Sequence, residues 1–261
     1  MDYKFGVDIR KKIEEDVKEA VIDFQQRPEV TTKFGEPIIG YANMYSPIFD
    51  MLSDKNLCHH PKGIYRPGDT VVVHFVPYAP EITKSNIGGK APSKLWQGSY
   101  HDSLMLTMRI NGVIRDALDT VGRLSSCTNT PADWEEDLCR EDWSHKLVAY
   151  VAGMGHFGPA GCLITEKGFA GRFGSIITDS HLSEKPQPMT EVELEALYHQ
   201  LMREQRYEEE DGVTVSEEMI QACPGKAISQ KGINRHKCQE YCKTISEHIP
   251  SPEVCGKCFY Y

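Results

Sequence analysis

Four cysteines near the C-terminal end of the chain have residue types and spacings that suit metal chemistry: Cys223, Cys238, Cys255 and Cys258. Thiolates are soft ligands, and sets of four hold either a zinc ion or an iron–sulfur cluster. Cys223 opens the run Cys-Pro-Gly-Lys-Ala-Ile, and the last two cysteines form a Cys-x-x-Cys pair. A Cys-Pro at this place closes one half of a bacterial-type two-cluster ferredoxin, where its thiolate ligates the other cluster. The four cysteines are therefore predicted to hold one 4Fe–4S cluster.

The second ligand set that such a ferredoxin carries is missing from this sequence. The run Cys-x2-Cys-x2-Cys-x3-Cys-Pro would place three further cysteines ahead of Cys223. Those positions hold Val213, Ser216 and Met219 instead. The sequence therefore predicts a single cluster.

Other interpretations of the cysteines remain open. Zinc accepts four thiolates, although it gives no reason for the Cys-Pro-Gly-Lys-Ala-Ile run. Disulfides are disfavoured because the chain has nine cysteines, an odd number, and because the N-terminus lacks the apolar core of a signal peptide. A cytoplasmic location is therefore expected. Cys242 lies one helical turn after Cys238 and is a candidate to replace it as a ligand.

The composition excludes some classes of protein. Of the 261 residues 40% are hydrophobic, which is ordinary for a globular protein. No apolar run approaches the ~20 residues that a membrane span needs. The formal net charge of −9 makes nucleic acid an improbable general partner, because phosphate binding draws on patches of Lys and Arg.

Periodicity and punctuation predict several elements that would position these residues. Apolar residues recur at helical spacing near the N-terminus, and Thr190 with Glu193 forms a capping box. The predicted helices cover 8–26, 97–121, 144–153 and 190–207, and a buried strand covers 70–78.

Two segments between these elements could serve a ligand. Residues 123–144 are polar and irregular, and long loops in compact domains are often lids or substrate loops. Residues 153–171 contain six glycines, which suit either close approach to a cofactor or tight turns between strands.

Residues from Trp143 to Asp179, taken with the cysteines, resemble the epoxyqueuosine reductase family, which is related to corrinoid-dependent reductive dehalogenases. Members carry Ala-Gly-Leu-Gly-x-x-Gly-x-x-x-Leu-Leu-Ile, then Gly-Ser and Thr-Asp. This chain has Ala-Gly-Met-Gly-His-Phe-Gly-Pro-Ala-Gly-Cys-Leu-Ile from residue 152, then Gly174-Ser175 and Thr178-Asp179. The family's Tyr-His at the start of a long helix is matched by Tyr100-His101. The resemblance covers roughly residues 70–261.

The resemblance implies an α+β protein with two domains. A nitroreductase-like, corrinoid-binding α/β domain would span residues 1–185. A small, degenerate ferredoxin-like iron–sulfur domain would span residues 186–261. The residues that the resemblance places near a cobalamin are Tyr100, His101, Gly155, His156, Gly158, Gly174 and Ser175.

The function that the resemblance implies is an oxidoreductase in which the 4Fe–4S cluster passes electrons to cobalamin. It would reduce a small-molecule substrate, the corrinoid itself or the corrinoid of a partner protein, with electrons from an external donor such as ferredoxin or flavodoxin. One alternative is an electron-transfer or corrinoid-carrying protein without its own substrate. A further alternative is an epoxyqueuosine reductase acting on tRNA.

The chain departs from the family's pattern where the proton donor is expected. That acidic residue precedes a Glu-Arg pair, which here reads His145-Lys146. Asp137 and Asp142 lie nearby, but neither aligns cleanly with the donor. The catalytic residue is therefore unassigned, with Asp142 and His156 as candidates. His156 would ligate cobalt or donate a proton, or would be a hydrogen-bonded turn residue.

Overall fold

The computed structural model describes residues 8–128, 143–158, 161–205, 215–245 and 255–260. Its helices are α1 (Ile9–Phe24), α2 (Pro47–Asp54), α3 (Pro61–Ile64), α4 (Pro80–Ser85), α5 (Lys94–Asp119), α6 (His145–Val151), α7 (Glu191–Gln205), α8 (Glu217–Ala222) and α9 (Arg235–Ile245). Its strands are β1 (Ile38–Asn43), β2 (Thr70–Pro77), β3 (Ser125–Cys127), β4 (Gly155–Phe157), β5 (Leu163–Thr165), β6 (Gly171–Thr178), β7 (Ile228–Ser229) and β8 (Gly232–Ile233). A 3-10 turn covers Lys257–Tyr260.

A four-stranded antiparallel sheet in the order β1-β2-β6-β3 forms the centre of the fold. β2 pairs with β1 on one side and with β6 on the other, so that Thr70 faces Thr178 and Pro77 faces Gly171. Every residue of β2 is buried, as its continuous apolar run indicates. The strand predicted over 70–78 is confirmed.

Alternate residues of β2 pack on opposite faces of the sheet. Val71, Val73 and Phe75 belong to an apolar cluster that includes residues of α2, α6 and α7. Val72 and Val76 belong to a second cluster, built with α1 and α5. Helices therefore cover both faces, and the α+β class predicted from the sequence is confirmed.

The two helices on one face begin at side-chain caps. Asp8 accepts a hydrogen bond at the start of α1 from the backbone N of Lys11 at 3.4 Å. α5 begins at Lys94, three residues earlier than predicted, because Ser93 Oγ accepts from the backbone N of Trp96 at 3.1 Å. Gly122 lies just beyond the end of α5 with a φ of 68°, a left-handed backbone that glycine adopts without strain.

α7 packs on the larger part of the fold, against α2 and β4. Its capping box is formed as predicted: Thr190 N donates to Glu193 Oε2 at 2.7 Å, and Glu193 N donates to Thr190 Oγ1 at 3.3 Å. Leu201 on this helix is fully buried in the same apolar cluster as β2.

The described residues after α7, 215–245 and 255–260, are called here the cysteine segment. They comprise α8, the β7–β8 hairpin, α9 and the 3-10 turn. Val215, Met219 and Ile228 form a small apolar cluster of their own, against which Cys223 and Cys258 pack. No helix in the described part of the chain is long and apolar enough to cross a membrane.

Candidate metal centre

Cys223 lies where the chain leaves α8. The following Pro224 cannot donate a backbone hydrogen bond, and the chain turns, with Lys226 N donating to Cys223 O at 3.1 Å. The turn also aims the backbone N–H of Ala227 at Cys223 Sγ, 3.2 Å away. The Cys-Pro-Gly-Lys-Ala run is thus a turn that presents one thiol and supplies a hydrogen-bond donor to its sulfur.

Cys238 and Cys242 lie one turn apart on α9, with Cys238 half-buried and Cys242 only 4% exposed. Hydrogen bonding between the Cys242 thiol and the sulfurs of Cys238 and Cys255 lowers the pKa of Cys238 and, with burial opposing it, lowers the pKa of Cys255 to about 7. The same interactions raise the pKa of Cys242 far above its usual range. Cys242 therefore keeps its proton, and because a thiol has a single S–H group, it donates to one of the two sulfurs at a time.

Cys255 and Cys258 flank the start of the 3-10 turn. The backbone N–H of Lys257 bonds to Cys255, which also lowers the pKa of that thiol. Burial raises the pKa of Cys258, and the charges of Cys162, Cys238, Cys255 and Cys223 raise it further. Cys258 therefore interacts electrostatically with the other three predicted ligands. It also interacts with Cys162, which belongs to the described residues before the cysteine segment, called here the larger unit.

The donor set suits an iron–sulfur cluster. All eight cysteines that the structure describes are free thiols, and the four predicted ligands are half-buried. Two of their sulfurs accept backbone N–H groups, as thiolates of such clusters commonly do. Within the described residues no three His, Cys, Asp or Glu side chains converge as they would on a single metal ion.

The cysteine segment contacts the larger unit along residues 86–96. Asn86 Nδ2 donates to the backbone O of Cys255 at 3.0 Å, and Lys257 Nζ donates to the carbonyls of Asn86 and Gly88 at 2.9 and 2.6 Å. Tyr241 on α9 donates its hydroxyl to the carbonyl of Lys90. The predicted ligands are therefore held against the start of α5.

The aromatic residues at the start of α5 lie under this contact. Trp96 packs edge-on against Tyr78, with ring centroids 5.6 Å apart, and Tyr100 packs against the apolar pair that Trp96 forms with Ile82. The guanidinium of Arg172 lies 5.1 Å from the centre of the Tyr100 ring. His101, the next residue of the predicted corrinoid set, is exposed.

The glycines of the predicted corrinoid set have other reasons to lack a side chain. A Cβ at Gly155 would lie 2.0 Å from the carbonyl O of Ile164, and one at Gly158 would lie 2.5 Å from Cδ1 of the same residue. A Cβ at Gly174 would lie 2.5 Å from Nε2 of His74. The space at these three glycines is filled by the chain itself, so they provide no cradle that fits a corrinoid.

Ser175 is fully engaged inside the protein. Its Oγ accepts from Trp143 Nε1 at 3.1 Å and lies 2.9 Å from His145 Nδ1 and 3.2 Å from Thr128 Oγ1. Burial lowers the pKa of the half-buried His145 to about 3, helped by the charges of His74 and Arg172. The sequence analysis did not single out this network, because its members come from three separate segments.

His74 is a second polar group in the core, on the opposite face of the sheet. Its Nε2 lies 3.2 Å from Asn111 Oδ1, and its Nδ1 has no hydrogen-bond partner among the described residues. Burial lowers the pKa of His74 to about 4. A histidine inside the run Val-Val-Val-His-Phe-Val was the signal that could have drawn attention to it, because buried polar groups need partners.

Of the two candidate catalytic residues, the structure describes His156 alone. His156 is exposed on β4, opposite Ile164. Asp142 lies outside the described residues. Asp137 and most of the loop predicted over 123–144 also lie outside them.

No family model and no curated protein matches the chain. Solved structures do. The epoxyqueuosine reductase from Streptococcus thermophilus is similar with a TM-score of 0.50 and 15% identity, over 95% of this chain and 65% of that one. The epoxyqueuosine reductase from Bacillus subtilis has a TM-score of 0.46 and 15% identity, over 91% of this chain and 59% of that one. An epoxyqueuosine reductase with an epoxyqueuosine-modified tRNA-Tyr stem loop has a TM-score of 0.48 and 16% identity, over 94% of this chain and 64% of that one.

The chain therefore has the fold of an epoxyqueuosine reductase, as the sequence resemblance predicted. It spans less than two thirds of the length of these solved chains.

Proposed function

We propose that this chain is an iron–sulfur oxidoreductase of the epoxyqueuosine reductase type. The observation that carries the proposal is one group of free thiols, Cys223, Cys238, Cys255 and Cys258, held against the start of α5 in that fold. These four residues would hold a single 4Fe–4S cluster, which supplies one-electron transfer at low potential.

The other residues around the thiols have positioning roles in this proposal. The backbone N–H groups of Ala227 and Lys257 donate hydrogen bonds to the sulfurs of Cys223 and Cys255. The backbone of Gly256 lies against the indole ring of Trp96, and in this proposal their contact would limit the access of water to the cluster. Hydrogen bonds and shielding of this kind help to set the potential of an iron–sulfur centre.

Cobalamin belongs to the proposal only through the likeness of the fold to an epoxyqueuosine reductase. The glycine positions themselves give it no cradle. The residues of the predicted set that remain accessible for it are His101, His156 and the half-buried Tyr100. The assignment of residues 1–185 to a nitroreductase-like domain and 186–261 to a ferredoxin-like domain is part of the same proposal. An external donor such as ferredoxin or flavodoxin would supply the electrons, and a small molecule or a corrinoid would be reduced.

Metal analysis of anaerobically purified protein tests the cluster. We expect about four irons and four sulfides per chain, and zinc without sulfide would overturn the proposal. Equilibrium dialysis against cobalamin tests the second cofactor independently. Binding at one equivalent would support a corrinoid reductase. Absence of binding by cluster-loaded protein would leave an electron-transfer protein and remove the corrinoid.

A second candidate is reduction of epoxyqueuosine in tRNA. Its specific support is the tRNA stem loop in one of the similar structures, while the net charge of −9 opposes it. A gel shift of a tRNA-Tyr stem loop, repeated at rising salt, distinguishes the two. Binding that weakens steeply with salt is expected if Lys and Arg contact phosphates, and no binding at micromolar protein would exclude this substrate.

A further inference from the structure

Lys257 is a buried cation between two of the proposed ligands, Cys255 and Cys258. Only 5% of the residue is exposed. Its Nζ donates to the carbonyl oxygens of Asn86 at 2.9 Å and Gly88 at 2.6 Å. Burying an ammonium group is unfavourable unless it is paired with an opposite charge, so the position of Lys257 favours a negative charge close by.

The described structure offers that charge only on the thiols. Lys257 makes no ion pair with any carboxylate that the structure describes. Carbonyl oxygens solvate the ammonium group but do not neutralise it.

The peptide that receives Lys257 is held in place from both units. Asn86 is itself buried, and its Oδ1 accepts from Ser93 N at 3.0 Å while its Nδ2 donates to Cys255 O at 3.0 Å. Gly88 and Gly89 follow with φ values of 66°, a backbone that glycine adopts without strain. The Lys257 side chain therefore spans from the ligand loop to a fixed turn of the larger unit.

We propose that Lys257 is the counter-charge of the cluster, and that it couples cluster binding to docking of the cysteine segment on residues 86–93. The proposal rests on the cluster of the proposed function. A thiolate-ligated cluster gains negative charge when it is reduced, and a nearby buried cation stabilises that reduced form. Lys257 is therefore a positioning residue that raises the reduction potential and holds the two units together.

Four variants separate charge from contact. K257M removes the charge and the hydrogen bonds, whereas K257Q removes the charge and keeps a donor. N86A removes the bond to Cys255 and keeps the charge. K237M is the matched control, because Lys237 is next to Cys238 but exposed, where water screens its charge.

The measurements are a redox titration of the cluster by EPR and hydrogen exchange of residues 84–93, in loaded and cluster-free protein. We expect K257M and K257Q to shift the midpoint potential to more negative values, with K237M close to wild type. N86A should raise exchange over 84–93 with a smaller shift in potential. Removal of the cluster from wild type should also raise that exchange.

Equal midpoint potentials for K257M and K237M would overturn the role of Lys257 as the counter-charge of the cluster. Hydrogen exchange over 84–93 that does not change when the cluster is removed would overturn the coupling between cluster binding and docking. Loss of iron from K257M and K257Q, but not from N86A, would support the charge role, because N86A retains the cation. A wild-type protein without iron and sulfide would instead refute the proposed function, before any variant is compared.

Discussion

The backbone of Gly256 lies directly on the indole ring of Trp96. A Cβ at position 256 would stand 2.0 Å from Cζ2 and 2.3 Å from Cε2 of that ring. Gly256 also has a φ of 57°, a left-handed backbone that favours glycine. The Cys-Gly-Lys-Cys loop therefore reaches the start of α5 only because its second residue has no side chain.

We expect G256A to loosen this contact. An alanine there combines a left-handed backbone, which costs roughly 1–2 kcal/mol, with overpacking, which costs roughly 1–3 kcal/mol. Urea unfolding of the loaded protein and the rate of cluster loss in air measure the effect. G112A is the matched control, because nothing lies within 4 Å of a Cβ at this site in α5, and it should stabilise the helix by about 0.5–1 kcal/mol. Equal stability of both variants would contradict the contact.

Cys242 is expected to be a hydrogen-bond donor and not a ligand. Iron and sulfide should stay at the wild-type level in C242A, while C238A should lose iron. Because C242A removes the one S–H group that donates to Cys238 or Cys255, its midpoint potential should become more negative. The opposite pattern of iron loss would show that Cys242 replaces Cys238 as the fourth ligand.

The buried His74 predicts a loss of stability in acid. Its pKa is about 4 in the folded protein and about 6.5 when unfolded. The unfolded chain therefore binds the extra proton first as the pH falls. The free energy of unfolding should decrease between about pH 6.5 and pH 4, by up to ~3 kcal/mol from this residue.

Urea titrations at pH 7 and pH 5 measure the His74 effect against H74Q, which keeps a donor for Asn111 and does not titrate. The difference in unfolding free energy between the two pH values should be smaller in H74Q. An unchanged difference would mean that His74 does not contribute to the acid sensitivity.

Ser175 is expected to stabilise the core through Trp143. S175A would leave the indole Nε1 of Trp143, a residue only 4% exposed, without its acceptor at a cost of about 1–3 kcal/mol. The variant W143F removes the donor, so S175A should cost less in that background. Thermal unfolding of the four members of this cycle gives the coupling energy, and additive effects would show that the bond contributes nothing.

Local patterns predicted the parts of this structure that depend on neighbouring residues. The capping box at Thr190 and the buried strand over 70–78 each follow from a short run. The start of α5 was placed three residues late because the capping role of Ser93 was not recognised. These features are set by hydrogen bonds between residues close in the chain.

Features that depend on distant pairing could not be read in the same way. Gly174 has no room for a side chain because β6 pairs with β2 and His74 lies directly opposite this position. The glycine spacing alone does not reveal this neighbour. Lys257 appears in the sequence as an ordinary charged residue between two cysteines. Its burial depends on Asn86, a residue far earlier in the chain.

The order of strands in the central sheet has a consequence for how the chain is built. β2 finds its partner β6 only after α5 and the residues that follow have been synthesised, since Thr70 pairs with Thr178. Such long-range pairing slows folding, and the sheet cannot close before β6 has been synthesised. The cysteine segment follows β6 in the chain, so residues 86–96, which it contacts, are always made before it. The direction of synthesis therefore sets the order in which the two sides of this contact become available.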